Sequence, residues 1–253
     1  MNRFQADLHN HTVLSPCGDI EMTPTFIISS ALEKGYDIIG ITDHNTLVQA
    51  REIHRIVGEG EPYILCGAEI TTKEEVHCLA FAEGETALDA LQNYLDANLP
   101  RIPNNEDVFG YQLAVNDAEE VIYEAPYLLI SAISQTLEEV AAFVHSIGGL
   151  VIPAHIDKRQ NSVISQLGFL PPDLPADAIE FSSGCDIGEY LSENPYLRKF
   201  RNSHIRSSDA HYPEDFGKAV TYFDMECRCF EEIRKALSRT EGRHAEPAEY
   251  RTR

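Results

Sequence analysis

Apolar positions along the chain fall into two rhythms. Short runs such as Phe4 to His9, Tyr36 to Thr42, Pro62 to Ala68 and Val76 to Phe81 are apolar on nearly every residue, as strands covered on both faces are. Between them the spacing is helical. Thr23-Pro24 opens a helix running to about Lys34, with threonine as N-cap, proline in the first turn and Gly35 as the stop. Asn45 or Thr46 can cap a second helix that runs to about Val57. Strands that alternate with helices and are apolar on both sides predict parallel pairing, so a barrel or a doubly wound sheet follows.

The rhythm changes between about 84 and 135. Thr86 to Ala97 reads as a helix, Leu99-Pro100 and Ile102-Pro103-Asn104-Asn105 break it, and Asn116-Asp117 is expected to start another helical stretch before the apolar run Tyr127 to Ile133. The segment contains no histidine. It is expected to be an inserted, largely helical segment packed beside or over a site built elsewhere. Regular structure returns with a helix from Leu137 to Ser146, a strand from Leu150 to His155, strands at Ala178 to Phe181, Ile205 to Ser207 and Ala219 to Phe223, and a helix from Phe230 to Leu237. From Arg239 the chain is polar without apolar periodicity and is expected to fray. The predicted organisation is one hydrolase-sized domain over 1–238, with the insertion at about 84–135, and a polar C-terminal tail over 239–253.

Charge narrows the range of partners. Twenty Lys and Arg stand against 41 Asp and Glu, a formal net charge of -21, which argues against general affinity for nucleic-acid backbones or anionic membranes. No stable nucleic-acid binding and no membrane association are expected. An anionic small substrate stays open, because bound cations reverse the field locally. No apolar run approaches the length of a membrane span, and the N-terminus shows no signal-peptide pattern, so a cytoplasmic protein is expected. The six cysteines are scattered and form no C-x-x-C pair, which fits small buried residues better than a disulfide framework. Oligomeric state is not legible.

Candidate chemistry gathers at strand ends. His9-x-His11 and Asp209-x-His211 each place two metal-ligand types at i, i+2, the spacing at which alternate strand residues face the same way. Asp43-His44, Glu69, His77 and His155 end other apolar runs. Imidazoles and carboxylates in this mixture suit zinc, iron or manganese better than calcium, and the number of candidates points to a multinuclear site.

These residues, in this order and within the words DLHNHT, GITDHNT, GAEIT, VHCLAF, PAHID and SSDAH, closely resemble the polymerase-and-histidinol-phosphatase (PHP) superfamily. The resemblance runs from residue 7 to 223 and is weakest in the insertion. It implies an α/β fold, a distorted seven-stranded (β/α) barrel, holding two or three divalent transition-metal ions and hydrolysing phosphoesters through a metal-activated hydroxide. It also implies that His9, His11, Glu69 and Asp209 hold one ion, and that Glu69 bridges to a second completed by His77 and His155. His44 and His211 would hold a third.

The chain departs from the family where that third site needs another ligand. The loop after His11 reads Ser15-Pro16-Cys17-Gly18-Asp19, so either the Cys17 thiolate or the Asp19 carboxylate must serve. Asp19 is favoured, since a hard oxygen ligand suits an ion that shares phosphate oxygens. Glu69, Asp43, His44 and His211 are the expected catalytic residues. Lys158, Arg159 and Arg206 are the cations expected to bind substrate phosphate. Asp7 and Glu180 can orient ligand imidazoles from behind. The expected activity is hydrolysis of a small phosphorylated metabolite such as a nucleotide, sugar phosphate or amino-alcohol phosphate. Nuclease-type phosphodiesterase and amidohydrolase-like chemistry are the alternatives. An amidohydrolase would normally show a metal-bridging lysine where this chain has Glu69.

Overall fold

A computed structural model describes residues 1–248. β1 (Asn2–Asp7) leads to α1 (Pro24–Lys34), β2 (Ile38–Ile41), α2 (Val48–Val57), β3 (Tyr63–Thr71) and β4 (His77–Phe81). The insertion carries α3 (Glu85–Asn98), α4 (Glu106–Phe109) and a hairpin of β5 (Leu113–Val115) and β6 (Val121–Glu124). There follow α5 (Leu137–Ser146), β7 (Leu150–Pro153), α6 (Val163–Leu167), β8 (Ala178–Phe181), α7 (Ile187–Glu193), β9 (Ser203–Arg206), β10 (Thr221–Met225), α8 (Phe230–Leu237) and β11 (His244–Pro247).

Local signals act as expected at α1 but not at α2, which starts at Val48 with Leu47 at its N-cap and no side-chain cap there, so that neither Asn45 nor Thr46 is its N-cap. The Thr23 hydroxyl accepts the Phe26 N–H, Pro24 opens α1, and Gly35 closes it at φ 73°. Thr136 and Glu139 form a reciprocal capping box on α5.

Seven strands curl into a half-barrel in the order β11-β10-β1-β2-β3-β4-β7, giving the mixed α/β, distorted-barrel architecture expected. β1, β2 and β3 pair in parallel. The β3–β4 and β4–β7 pairs are antiparallel, contrary to the parallel expectation. The cause is the connection: Thr72 and Val76 close a tight turn through a 2.9 Å backbone hydrogen bond, far too short for a helical crossover. β8 and β9 form a separate parallel pair that completes the wall. The Val151 N–H donates to the Asp177 carboxylate and the Ile156 N–H to the Glu180 carbonyl, joining β7 to β8. The Arg206 N–H donates to the Thr221 hydroxyl, joining β9 to β10.

Period-two alternation sorts core from site along single strands. Leu65, Leu79 and Ala178 belong to one apolar cluster plugged from below by Phe230, Ile233 and Leu237 of α8. Glu69, His77 and Glu180 occupy the same faces of the same strands further along. A second cluster fills the space between the sheet and its outer helices. At Gly40 the backbone just after β1 comes so close that a Cβ would sit 2.2 Å from the Leu8 carbonyl oxygen. Gly40→Ala is therefore expected to destabilise the fold by about 1–3 kcal/mol through overpacking, read as a lower denaturant midpoint at unchanged m-value.

Two regions differ from their sequence expectation. Asn116-Asp117 starts a turn, not a helix: the Asn116 side-chain oxygen accepts the N–H groups of Ala118 and Glu120 and closes the β5–β6 hairpin. The polar stretch after Arg239 contributes β11, whose Ala245 is buried against the sheet and whose Glu246 meets Arg3 of β1 at 2.9 Å. Residues 249–253 of the tail lie outside the described residues. Among the described residues no helix is long and apolar enough to cross a membrane.

Candidate metal centre

The Glu69 carboxylate, near the end of β3, is surrounded by imidazoles. His9 Nε2 lies 3.3 Å from it, His11 Nε2 3.2 Å, His44 Nδ1 3.3 Å, His77 Nδ1 2.8 Å and His155 Nε2 3.1 Å. Asp209 Oδ1 lies 3.3 Å from His9 Nε2 and 3.5 Å from His11 Nε2. His211 stacks on His11 with ring centroids 4.2 Å apart. Every histidine picked out from the sequence as a ligand thus reaches one pocket, together with Glu69 and Asp209.

Surrounding hydrogen bonds fix which nitrogen of each ring faces inward. His9 Nδ1 meets Glu180 Oε2 at 3.0 Å, and the same oxygen accepts the His155 N–H at 3.0 Å. His11 Nδ1 meets the Ser15 hydroxyl at 3.0 Å, and that hydroxyl donates to Asp43 at 2.6 Å. His211 Nδ1 meets the Asp209 carbonyl at 3.0 Å. With Nδ1 engaged as donor, the Nε2 atoms of His9, His11 and His211 are available as ligands. Backbone strain coincides with the site: His155 and Asp209 adopt φ 29° and 52°, a region non-glycine residues rarely occupy.

The donors fit metal ions. His9, His11 and Asp209 place ligand atoms within 4.8 Å of one another, as do His44, Glu69 and His77, and also His11, Cys17, His44 and His211. Asp209 Oδ1 and His44 Nδ1 are buried, face charged neighbours, and make no hydrogen bond among the described residues. Such convergence of unpaired donors is expected where a cation belongs.

Charge is distributed unevenly among these side chains. Burial opposes the charge on His11, but Asp209 and Glu69 raise it to about 9. Burial likewise opposes charge on His9, and Glu180, Asp209 and Glu69 hold it well above the ordinary imidazole value. Burial keeps His44 neutral and lowers His211 to about 4. Against their own burial, Asp209 is held well below the usual carboxylate range, chiefly by His9 and His11, and Glu69 chiefly by His77 and His9. An entering ion must therefore displace protons from His9 and His11. Metal affinity is expected to rise from pH 6 to 9, by roughly tenfold per unit for each proton displaced. Metal titration in lightly buffered solution reads both the affinity and the protons released. An affinity flat over that range would contradict the assignment.

Several expected residues sit elsewhere. Asp19 is not brought into the ligand cluster: its carboxylate accepts the Glu21 N–H at 2.9 Å, while the turn closed by Gly18 N–H on the Ser15 carbonyl carries Cys17 inward. Burial and the nearby carboxylates Glu69 and Asp43 push the Cys17 thiol up, so it is protonated until a cation arrives. Asp43 accepts from the Thr12 N–H and hydroxyl and from Ser15, which makes it an anchor for the loop. Lys158 lines the pocket and pairs with Asp209 Oδ2. Arg159 is exposed and is not part of the pocket lining. Arg206 is buried, and its guanidinium donates to the carbonyls of Ala248 and Cys185. Asp7 supports the site from below by accepting the Ser208 N–H, and burial raises its carboxyl to about 7.

Two residues of the site carry no sequence signal: Ser15, which joins His11, Asp43 and the His44 N–H at 3.3 Å, and Ile130, which the insertion contributes to the pocket wall. Asn45 holds that wall by donating to the carbonyls of Leu129 and Ser131.

Comparison with known proteins gives a consistent picture. The PHP domain family model matches residues 7–148, and a PHP-associated model matches residues 195–241. An uncharacterized protein of Methanocaldococcus jannaschii is 35% identical over 79 residues, 28% of this chain and 46% of that protein. The lesion-specific endonuclease PfuEndoQ of Pyrococcus furiosus superposes with a TM-score of 0.74 at 19% identity, over 96% of this chain and 58% of that one. Endonuclease Q bound to a 27-mer duplex with an abasic lesion at its active site gives 0.72 at 20% identity, with the same coverage. An amidohydrolase of Chromobacterium violaceum gives 0.55 at 18% identity, over 84% of this chain and 89% of that one. The chain thus spans little more than half the length of endonuclease Q.

One expectation is overturned. Net charge argued for a small substrate and against nucleic acid, yet the same fold in endonuclease Q receives a DNA duplex. Whole-chain charge is a poor guide here, because the field at a metal-loaded site is set locally by the bound cations.

Proposed function

The chain belongs to the PHP family and is a metal-dependent hydrolase of that type, and on that premise we propose that it cleaves phosphoester bonds at the Glu69 centre. The observation that carries this reading is the Glu69 carboxylate with five imidazole nitrogens within 3.3 Å. In this reading His9, His11, Asp209 and Glu69 would hold one ion, and His77 and His155 with Glu69 a second. His44, His211 and Cys17 would hold a third. The bound ions would supply Lewis acidity towards phosphoryl oxygens and a water acidic enough to ionise near neutral pH.

The protein's own groups prepare the reaction. Glu180 holds His9 and the His155 backbone, and Ser15 holds His11 against Asp43, so the rings are oriented before substrate arrives. Lys158, at the mouth beside Asp209, is the cation in place to take a phosphoryl oxygen. His211, partly exposed at the same mouth, has its Nδ1 held by the Asp209 carbonyl at 3.0 Å, which leaves Nε2 for an ion. An amidohydrolase reading is favoured less, because a carboxylate occupies the bridging position and the pocket lysine contacts Asp209. Residues 1–238 are taken as the hydrolase domain.

The test is metal content per chain together with hydrolysis of a panel spanning phosphomonoesters, phosphodiesters and a duplex carrying an abasic site. Two or three ions with phosphoester cleavage are expected. Cys17→Ala should lower the metal count by one and Asp19→Ala should leave it unchanged. Metal-loaded protein that cleaves amides and no phosphoester would refute the proposal.

A further inference from the structure

Away from the metal centre, α7, the turn Pro195–Lys199, β9 and β11 enclose a cavity of 440 Å3 whose lining includes Arg198, Phe200, His204, Arg239 and Glu246. Its cations stand out. Among the described residues Arg3, Arg51, Arg55, Arg228, Arg234 and Arg243 pair with a carboxylate, whereas Arg101, Arg159, Arg198, Arg201 and Arg239 do not, and two of those five line this one cavity. The guanidiniums of Arg198 and Arg239 have no hydrogen bond or ion pair among the described residues. The cavity's carboxylate, Glu246, is already held by Arg3 at 2.9 Å.

Two further features mark the region. The His204 ring lines the cavity, with its Nε2 turned into the protein and without a hydrogen-bond partner among the described residues. Arg239 has φ 55° directly after α8, where its N–H reaches the Ala236 carbonyl at 3.3 Å and the Thr240 N–H reaches the Lys235 carbonyl at 3.0 Å. That is the helix-ending position glycine normally takes, because a side chain there is strained. Arg239 thus carries a side chain at a position glycine favours, and its guanidinium makes no hydrogen bond or ion pair among the described residues that would offset the strain.

We propose that this cavity binds a phosphate-bearing anion, with Arg198 and Arg239 on the phosphoryl oxygens and with Phe200 and His204 as walls for an attached organic group. Guanidinium forks match tetrahedral oxyanions in geometry and keep their charge at any physiological pH. The volume lies within the roughly 300–1,000 Å3 typical of small-ligand pockets. The site is independent of the metal centre, from which it is separated by the length of β9 and the loop that carries Asp209.

Equilibrium dialysis of the metal-loaded protein with inorganic phosphate, and separately with a non-hydrolysable phosphonate analogue of AMP, tests the proposal. The variants are Arg198→Ala, Arg239→Gly and the pair; Arg239→Gly places the residue the backbone prefers, so a folding defect is not expected. The double variant should bind one equivalent fewer than the wild type at unchanged metal content. Each single change should weaken that equivalent roughly tenfold or more. The His204 imidazole resonances should shift on titration in the wild type and stay fixed in the double variant. A greater loss for the analogue than for phosphate identifies an esterified ligand, and equal losses identify free phosphate. The same stoichiometry and affinity in wild type and double variant, with no movement of His204, would overturn the site.

Discussion

Glu69→Gln is expected to abolish nearly all hydrolysis and to empty the metal centre. The substitution keeps the shape of the side chain but removes the negative charge that five imidazoles face. Removing one member of a buried charged network costs on the order of 3–5 kcal/mol, or between two and four orders of magnitude in affinity or rate. Here the loss falls on metal binding, since every proposed ion is adjacent to this carboxylate. Elemental analysis should show at least two ions' worth of occupancy lost, and excess metal should not restore activity. Near-UV circular dichroism checks that the barrel is intact. A folded variant that retains both metal and turnover would remove Glu69 from the centre of the mechanism.

A smaller and mechanistically different loss is expected from Glu180→Gln. One Glu180 oxygen serves both the His9 ring and the His155 N–H, and the side chain is almost fully buried. An amide oxygen can still accept, but it no longer supports the basicity of the His9 ring as a carboxylate does. Changes of this kind typically cost about 10–100-fold in metal affinity or activity. Because Glu180 acts through His9, added metal should recover a large part of the rate while KM stays near the wild-type value. Failure of metal to rescue, or an effect confined to KM, would show that Glu180 touches the substrate instead.

What the sequence revealed and what it concealed have physical explanations. His9, His11, His44, His77, His155 and His211 were legible because strand ends place them and because ligand residue types are rare in apolar runs. The hairpin at 113–124 was not, since an asparagine side chain that caps a helix makes the same hydrogen bonds when it closes a turn. β11 was invisible because its one buried apolar residue, Ala245, leaves no alternation to read. The choice between Cys17 and Asp19 depended on which way a five-residue turn bends, and spacing alone does not determine that. Arg206 looked like a phosphate ligand by proximity to Asp209, but consecutive strand residues point to opposite faces, and its guanidinium lies on the other side of the wall.

The pinning of residues 129–131 by Asn45 has a consequence for how this protein can change. Asn45 directly follows His44, and the segment is fastened again where the Ile133 N–H meets the Thr71 carbonyl, two residues after Glu69. The wall of the pocket is therefore tied to the same two strand ends that carry His44 and Glu69 of the proposed metal centre. The stretch between α3 and this wall, residues 99–126, has no ligand to protect. Its length and composition can drift, or be replaced by a designer, and the pocket wall would inherit the change while the metal geometry stayed in register. Substrate preference and hydrolytic chemistry can then evolve at different rates within one barrel.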